Sequence, residues 1–275
     1  MRRICVILAS LLLASILFNF TDTERNPTNA AELRFATSLE SSILVRIRGQ
    51  GVCTGTPIKG TLYVVTAAHC VIDKRTWKFT TRFNIYVEYD NKHYDVTSVL
   101  FDTEAYPQDG QIYSNRDVAV LILREQIPGV GIYLGEDSLI EKDATLVGYQ
   151  PTNSIGSFYR PKDDASLKQG TKDTGVVPLA SAPAACSIRR EDIEVREGFW
   201  AVPCGMMPGG SGGPMIVSIA NNQYLVGVLS NISSSLITNG IAPVSAVLAL
   251  IANPAKYAHS YEYGSIPDAS GTNKK

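Results

Sequence analysis

The chain has 275 residues, 45% of them hydrophobic and 19% charged. That apolar content is too high for a disordered chain, and the length suffices for one large domain or two small ones with real cores. The net charge is −1 and no Lys/Arg-rich block stands out, which argues against nucleic acid as a partner and against a polybasic membrane anchor.

Arg2 and Arg3 precede an apolar run from Ile4 to Phe18. A positive region followed by a hydrophobic one is the pattern of a secretory signal peptide, expected here over residues 1–30. The alternative, a membrane-spanning anchor, fits less well, because the run is short and has no stop-transfer flank. Thr28 and Ala30 supply the small residues of a cleavage site after Ala30, and a short pro-segment is allowed within residues 31–40. The exported chain keeps 22 Lys and Arg against 24 Asp and Glu, still near neutral.

Short apolar stretches then recur between turn residues: Ile43–Ile47, Leu62–Thr66, Phe83–Tyr89, Val96–Phe101, Val118–Leu123, Ala144–Tyr149, Gly175–Leu179, Met215–Ile219 and Tyr224–Leu229. Most are rich in Val, Ile and Tyr, and Ile85-Tyr86-Val87-Glu88-Tyr89 alternates with period 2, so these stretches are predicted strands. Many short strands without long helices between them imply an antiparallel all-β sandwich or barrel. Residues 151–174 read as a long polar surface excursion. The one clear helix is Val244–Ala252, with Pro243 before it, and the polar residues 253–275 read as a flexible tail.

Of five cysteines, Cys5 would leave with the signal peptide, and Cys53, Cys70, Cys186 and Cys204 remain. An even set in an exported chain reads as disulfides. Zinc is the alternative, but there is no C-x-x-C pair and only three His, so no metal and no other cofactor is expected.

Three signatures stand in order along the chain: Val65-Thr66-Ala67-Ala68-His69-Cys70, Asn115-Arg116-Asp117-Val118-Ala119-Val120-Leu121, and Gly209-Gly210-Ser211-Gly212-Gly213-Pro214. A serine hydroxyl is a weak nucleophile and needs a base; imidazole titrates near neutral pH, and a carboxylate can fix its tautomer. Each piece alone is weak, since a lone His is usually structural, a Gly-Ser run is usually a loop, and an Asp often opens a strand. His93 and His259 take that ordinary reading, and Asp95, Asp102 and Asp109 lack the apolar segment that follows Asp117. Gly209-x-Ser211-x-Gly213 also fits the nucleophile elbow of α/β-hydrolases. That fold needs an acid and then a His after the Ser, and no Asp or Glu lies between Ser211 and His259.

Together, in this order and 48 and 94 residues apart, the three signatures resemble the chymotrypsin-like (trypsin-fold) serine proteases, from about Ile43 to Ala252. The resemblance implies two antiparallel six-stranded β-barrels, over residues 41–138 and 139–252, the second ending in the helix. It implies catalysis by His69, Asp117 and Ser211, with an oxyanion hole from the N–H groups of Gly209 and Ser211. It also implies the disulfides Cys53–Cys70 and Cys186–Cys204. Gly205, Ser230, Asn231, Ile232 and Gly240 fall where the family's substrate pocket lies, with Ser230 beside Asp117. No acidic residue stands there, so Arg/Lys specificity is not expected. Leu229 takes the place of the His usual in glutamate-specific members. Asn231-Ile232-Ser233 is a glycan sequon at the same place.

One departure is notable. The family's zymogens carry an Asp before the reactive Ser, which pairs with a newly cut N-terminus; here Gly210 stands there, and the usual Ile-Val-Gly-Gly start is also missing. The expectation is a secreted (extracellular or periplasmic), monomeric serine endopeptidase acting on polypeptides, with no membrane attachment after signal removal. The alternatives are a catalytically silent homologue that binds proteins, and a secreted esterase on the same fold.

Overall fold

A computed structural model describes residues 33–48, 52–73, 78–79, 85–105, 115–151, 181–196, 198–206, 209–232 and 238–260. The chain divides into two units, residues 1–30 and 31–275. The first, with the expected signal peptide, lies outside the described residues, as do Gly175–Leu179 and most of the polar excursion.

In chain order the elements of the first half are β1 (Arg34–Phe35), α1 (Ser38–Ser41), β2 (Val45–Arg48), β3 (Val52–Pro57), β4 (Tyr63–Thr66), β5 (Ile72–Asp73), β6 (Lys78–Phe79), β7 (Tyr86–Tyr89), β8 (Lys92–Phe101) and β9 (Ala119–Leu123). Those of the second half are β10 (Tyr133–Leu134), β11 (Ala144–Pro151), β12 (Ser181–Ile188), β13 (Glu194–Arg196), β14 (Phe199–Val202), β15 (Pro214–Ile219), β16 (Asn222–Ile232), β17 (Asn239–Pro243), α2 (Val244–Ala252), α3 (Pro254–Tyr257) and β18 (Ala258–Ser260).

β8, β7, β2, β3, β4 and β9 pair in that order, and β9 pairs back onto β8, closing a six-stranded antiparallel barrel. β5 and β6 form a small separate ribbon. The second sheet runs β1-β12-β11-β15-β16-β17-β14-β13, with β10 added in parallel to β16. The expected all-β trypsin-like fold, with its C-terminal helix, is what the chain adopts. The hairpins are tight because Asp90-Asn91 and Ala220-Asn221 take positive φ at their tips, the conformation a two-residue turn of this hand requires.

Each sheet encloses its own core. Ile47, Val64, Val87, Val99 and Leu121 fill the closed barrel. Leu146, Cys186, Val202, Met215 and Leu229 fill the second sheet. A third cluster joins them: Val65, Leu100 and Val120 from the first barrel meet Val147, Ile216 and Val228 from the second sheet. The helix α2 lays Val244, Val247 and Leu250 on this cluster at a spacing of three, one stripe of a helix. Fully burying an aliphatic side chain contributes about 2 kcal/mol, so this joint between the sheets is strong. Helix α2 starts at extended Pro243, and its first-turn amide at Ser245 is capped from outside by Asp137 Oδ1 at 3.1 Å.

Described elements lie at three of the expected boundaries. Residues 253–260, expected to open a flexible tail, are instead structured: α3 follows α2 directly, and β18 pairs with β8 on the first barrel, while residues 261–275 lie outside the described residues. Residues 31–40, where a pro-segment was allowed, include β1, paired with β12, and the start of α1. The division after residue 138 is also crossed, because β10 already pairs with β16 of the second sheet.

Candidate active site

His69 follows β4, in a 3-10 turn over Ala68–Cys70. Two hydrogen bonds close the turn, Cys70 N to Ala67 O at 3.1 Å and Val71 N to Ala68 O at 2.9 Å. The Cys53–Cys70 disulfide then staples it to β3, with the Cα atoms 6.2 Å apart. The two sulfurs lie close to the His69 ring, but they are bonded to each other and so are not thiolate ligands for a metal.

Asp117 precedes β9, whose Ala119 pairs with Thr66 of β4, so the carboxylate comes out beside the His69 turn. Asp117 is fully buried. Its Oδ1 accepts from the His69 backbone N–H at 2.9 Å, and its Oδ2 lies 2.7 Å from His69 Nδ1. A carboxylate only accepts, so Nδ1 carries the proton, and in the neutral ring Nε2 keeps its lone pair. Ser230 Oγ donates to Oδ2 at 2.7 Å. Ser230 sits at a bulge in β16: Leu229 pairs with Ile241 and Asn231 with Gly240, so β16 has one residue more than β17 here. Such an extra residue re-aims a side chain, and here it meets Asp117.

Ser211 lies in the turn before β15 and is half-buried. Gly213 N–H donates to Gly210 O at 2.8 Å, and Gly212 N–H to Leu229 O at 2.7 Å. Leu229 N–H in turn donates to Gly213 O at 2.9 Å, so the turn is tied to the residue next to Ser230. Gly212 has φ +82°, and a Cβ there would collide with Thr66 Oγ1 and Thr54 O, so only glycine fits. The Ser211 carbonyl oxygen lies 3.9 Å from Cys70 Sγ, the residue after His69. Among the described residues, the N–H groups of Gly209 and Ser211 find no protein acceptor.

Two further residues hold this region, and sequence reasoning missed both. Thr54 of β3, fully buried, donates from its hydroxyl to Gly209 O at 2.8 Å and from its N–H to Ser211 O at 2.9 Å. Asn239 of β17, also fully buried, accepts from Met206 N at 3.0 Å and donates to Met206 O at 3.1 Å. Both act on backbone atoms, and a sequence carries no mark of which carbonyl a side chain will reach.

The Cys186–Cys204 disulfide ties β12 to the segment leading into the Ser211 turn, with Cα atoms 6.0 Å apart. Gly205 is half-buried just after it. Asn231 and Ile232 lie on β16 opposite Gly240 and Asn239 of β17, which puts three backbone positions of the expected pocket, Asn231, Ile232 and Gly240, side by side. Ser233, the end of the sequon, lies outside the described residues. The other histidines stand apart from this cluster: the ring of His93 packs on Tyr86, and His259 stacks on Phe101. Burial lowers the pKa of His259. A cleft of about 400 Å³ lies beside the segment that leads into Asp117, lined by Arg116, Leu250 and Tyr257 among others, but its lining includes none of His69, Ser211 and Ser230.

A closed antiparallel barrel joined to a second sheet, with a buried His-Asp pair at the joint, is the architecture of the trypsin-like serine proteases. The family model described as Trypsin matches residues 29–251, and the chain belongs to that family. The solved structure of a Glu endopeptidase in complex with MPD aligns over 83% of this chain and 98% of its own, with a TM-score of 0.57 and 17% identity. At that identity the likeness speaks for the fold alone.

Proposed function

We propose that the protein is a secreted serine endopeptidase that uses His69, Asp117 and Ser211 in an acyl-enzyme mechanism. The observation that carries this reading is the buried chain of hydrogen bonds from Ser230 through Asp117 to His69 Nδ1, beside the turn that carries half-buried Ser211. In the first step Ser211 Oγ attacks the scissile carbonyl carbon while His69 Nε2 takes its proton. The negative charge moves onto the carbonyl oxygen, where the N–H groups of Gly209 and Ser211 stabilise it; one such donor contributes about 3–4 kcal/mol. His69 then gives its proton to the leaving amine as the C–N bond breaks. Water, deprotonated by His69, cleaves the resulting ester and regenerates Ser211. Asp117 holds the ring in register throughout and offsets the charge of the imidazolium.

The pocket positions Gly205, Ser230, Asn231, Ile232 and Gly240 include no carboxylate to pair with a substrate cation. We infer a preference for small or medium uncharged side chains before the scissile bond. Leu229 is fully buried and apolar where a glutamate-specific site would carry a His, so that specificity does not come over from the Glu endopeptidase. Two disulfides and the leading apolar run support export. Among the described residues, no helix is long and apolar enough to cross a membrane. The test is hydrolysis of a peptide library by the disulfide-intact protein. The reading expects cleavage after uncharged residues and a loss of about a million-fold in kcat for Ser211→Ala. Undiminished cleavage by Ser211→Ala would refute it.

A further inference from the structure

Four of the five residues from Gly209 to Gly213 are glycine. Such a stretch has the greatest conformational freedom a chain can have, so a defined shape must be imposed by contacts from outside it. Thr54 supplies two of them. Its backbone N–H holds Ser211 O at 2.9 Å and its hydroxyl holds Gly209 O at 2.8 Å, one on each side of Gly210. The hydroxyl also accepts from Tyr149 N at 2.9 Å on β11. That bond occupies an oxygen lone pair, so the hydroxyl's own hydrogen is left for Gly209 O. The Thr54 carbonyl accepts from Thr66 Oγ1 at 2.8 Å, two residues before the His69 turn. One residue on a strand of the first barrel therefore grips the reactive turn, the second sheet and the His69 strand together.

The consequence for chemistry lies in peptide planes. Gly213 N–H fixes Gly210 O, and because the peptide is trans, the Ser211 N–H points the opposite way. Thr54 fixes the plane before it through Gly209 O, so both planes flanking Gly210 are set without any charged group. We propose that the Thr54 hydroxyl is a positioning residue for the oxyanion site: it locks the Gly209–Gly210 peptide, and through it the aim of the N–H groups that receive the substrate oxygen. The proposal rests on the serine-protease reading above, and its test keeps the two separable.

The test compares wild type, Thr54→Val, Thr54→Ala and Thr54→Ser. Valine keeps the shape and removes the hydroxyl, whereas serine keeps the hydroxyl and removes the methyl. Thr54→Val should lower kcat about 10- to 100-fold with KM within about two-fold, because an oxyanion donor that is mis-aimed loses part of the 100- to 1,000-fold such a donor provides. Affinity for a peptide boronic acid, which places an anionic oxygen in the hole, should fall in parallel, and Thr54→Ser should recover most of both. Amide hydrogen exchange over residues 209–213 should quicken in Thr54→Val and Thr54→Ala, while β8 and β9 keep their protection. Unchanged kcat and exchange in Thr54→Val, or equal damage in Thr54→Ser, would overturn the proposal. If Thr54→Val fails to fold, Thr54→Ala against Thr54→Ser decides by the same readouts. If wild type itself has no Ser211-dependent activity, the protease reading fails, and exchange alone decides whether Thr54 holds the turn.

Discussion

Asp117 has no exposure to solvent and accepts from both the backbone and the ring of His69 and from Ser230. A buried carboxylate costs several kcal/mol unless such partners surround it, so these donors are a condition of its being there. Asp117→Asn keeps the size but turns one oxygen into a donor facing another donor. It should lower kcat/KM about 10,000-fold, since the ring loses the tautomer the mechanism needs. Ser230→Ala leaves both His69 donors in place and should cost about ten-fold, the worth of one hydrogen bond to a charged group. Steady-state kinetics on one peptide substrate checks both, and Asp117→Asn within ten-fold of wild type would contradict the assigned role. His69, Asp117 and Ser211 stand out as candidates in the sequence because each lies in a local motif. Thr54 and Asn239 could not, because their work is done on the carbonyl and amide groups of residues 33 to 157 positions away.

The segment entering the fold is organised by Thr37 and Glu40, which form a reciprocal capping box at the start of α1. Arg34 reaches Glu40 with two hydrogen bonds, at 2.7 and 2.8 Å. The Arg34 guanidinium, helped by the Thr37 N–H, holds the Glu40 carboxyl below its usual carboxylate pKa. The unfolded chain lacks these partners and binds the proton more readily. The stabilisation is therefore full above the ordinary carboxylate pKa and is lost as pH falls through the lower folded value. The pair is partly exposed, so its worth is about 1 kcal/mol or less, about 2–4 °C in Tm. Glu40→Gln should lower Tm by that amount at pH 7, with the gap closing in acid; a gap that persists in acid would rule this out. Among the strands, β4, β8, β9, β15 and β16 were legible from their Val, Ile and Leu content. Strand β12, Ser-Ala-Pro-Ala-Ala-Cys-Ser-Ile, was not, because small residues and a proline carry no strand pattern. It forms because β11 pairs with it along its whole length, a tertiary cause that local reading does not contain. β3 and β17 were hidden in the same way, with Thr-Gly-Thr in the middle of the one and Asn-Gly opening the other.

The two ends of the described chain cross over between the sheets. Strand β1 at the N-terminal end pairs with β12 of the second sheet, whereas β18 at the C-terminal end pairs with β8 of the first barrel. With the shared cluster around Val65, Val147 and Val228, this makes the two sheets fold as one body, which a polar C-terminal sequence did not announce. Ending the chain at Tyr257 removes β18, its pairs with Ser98, Val99 and Leu100, and the stacking of His259 on Phe101, while keeping α3. That chain should melt several degrees below one ending at Ser260, in a single transition; equal Tm values would show that β18 adds nothing. The central claim concerns Ser211, and it is tested most directly by fluorophosphonate labelling of the disulfide-intact protein, with the adduct mapped by mass spectrometry. The account predicts one adduct, on Ser211, absent from Ser211→Ala and strongly slowed in Asp117→Asn. Folded protein that stays unlabelled, or is labelled elsewhere, would contradict it.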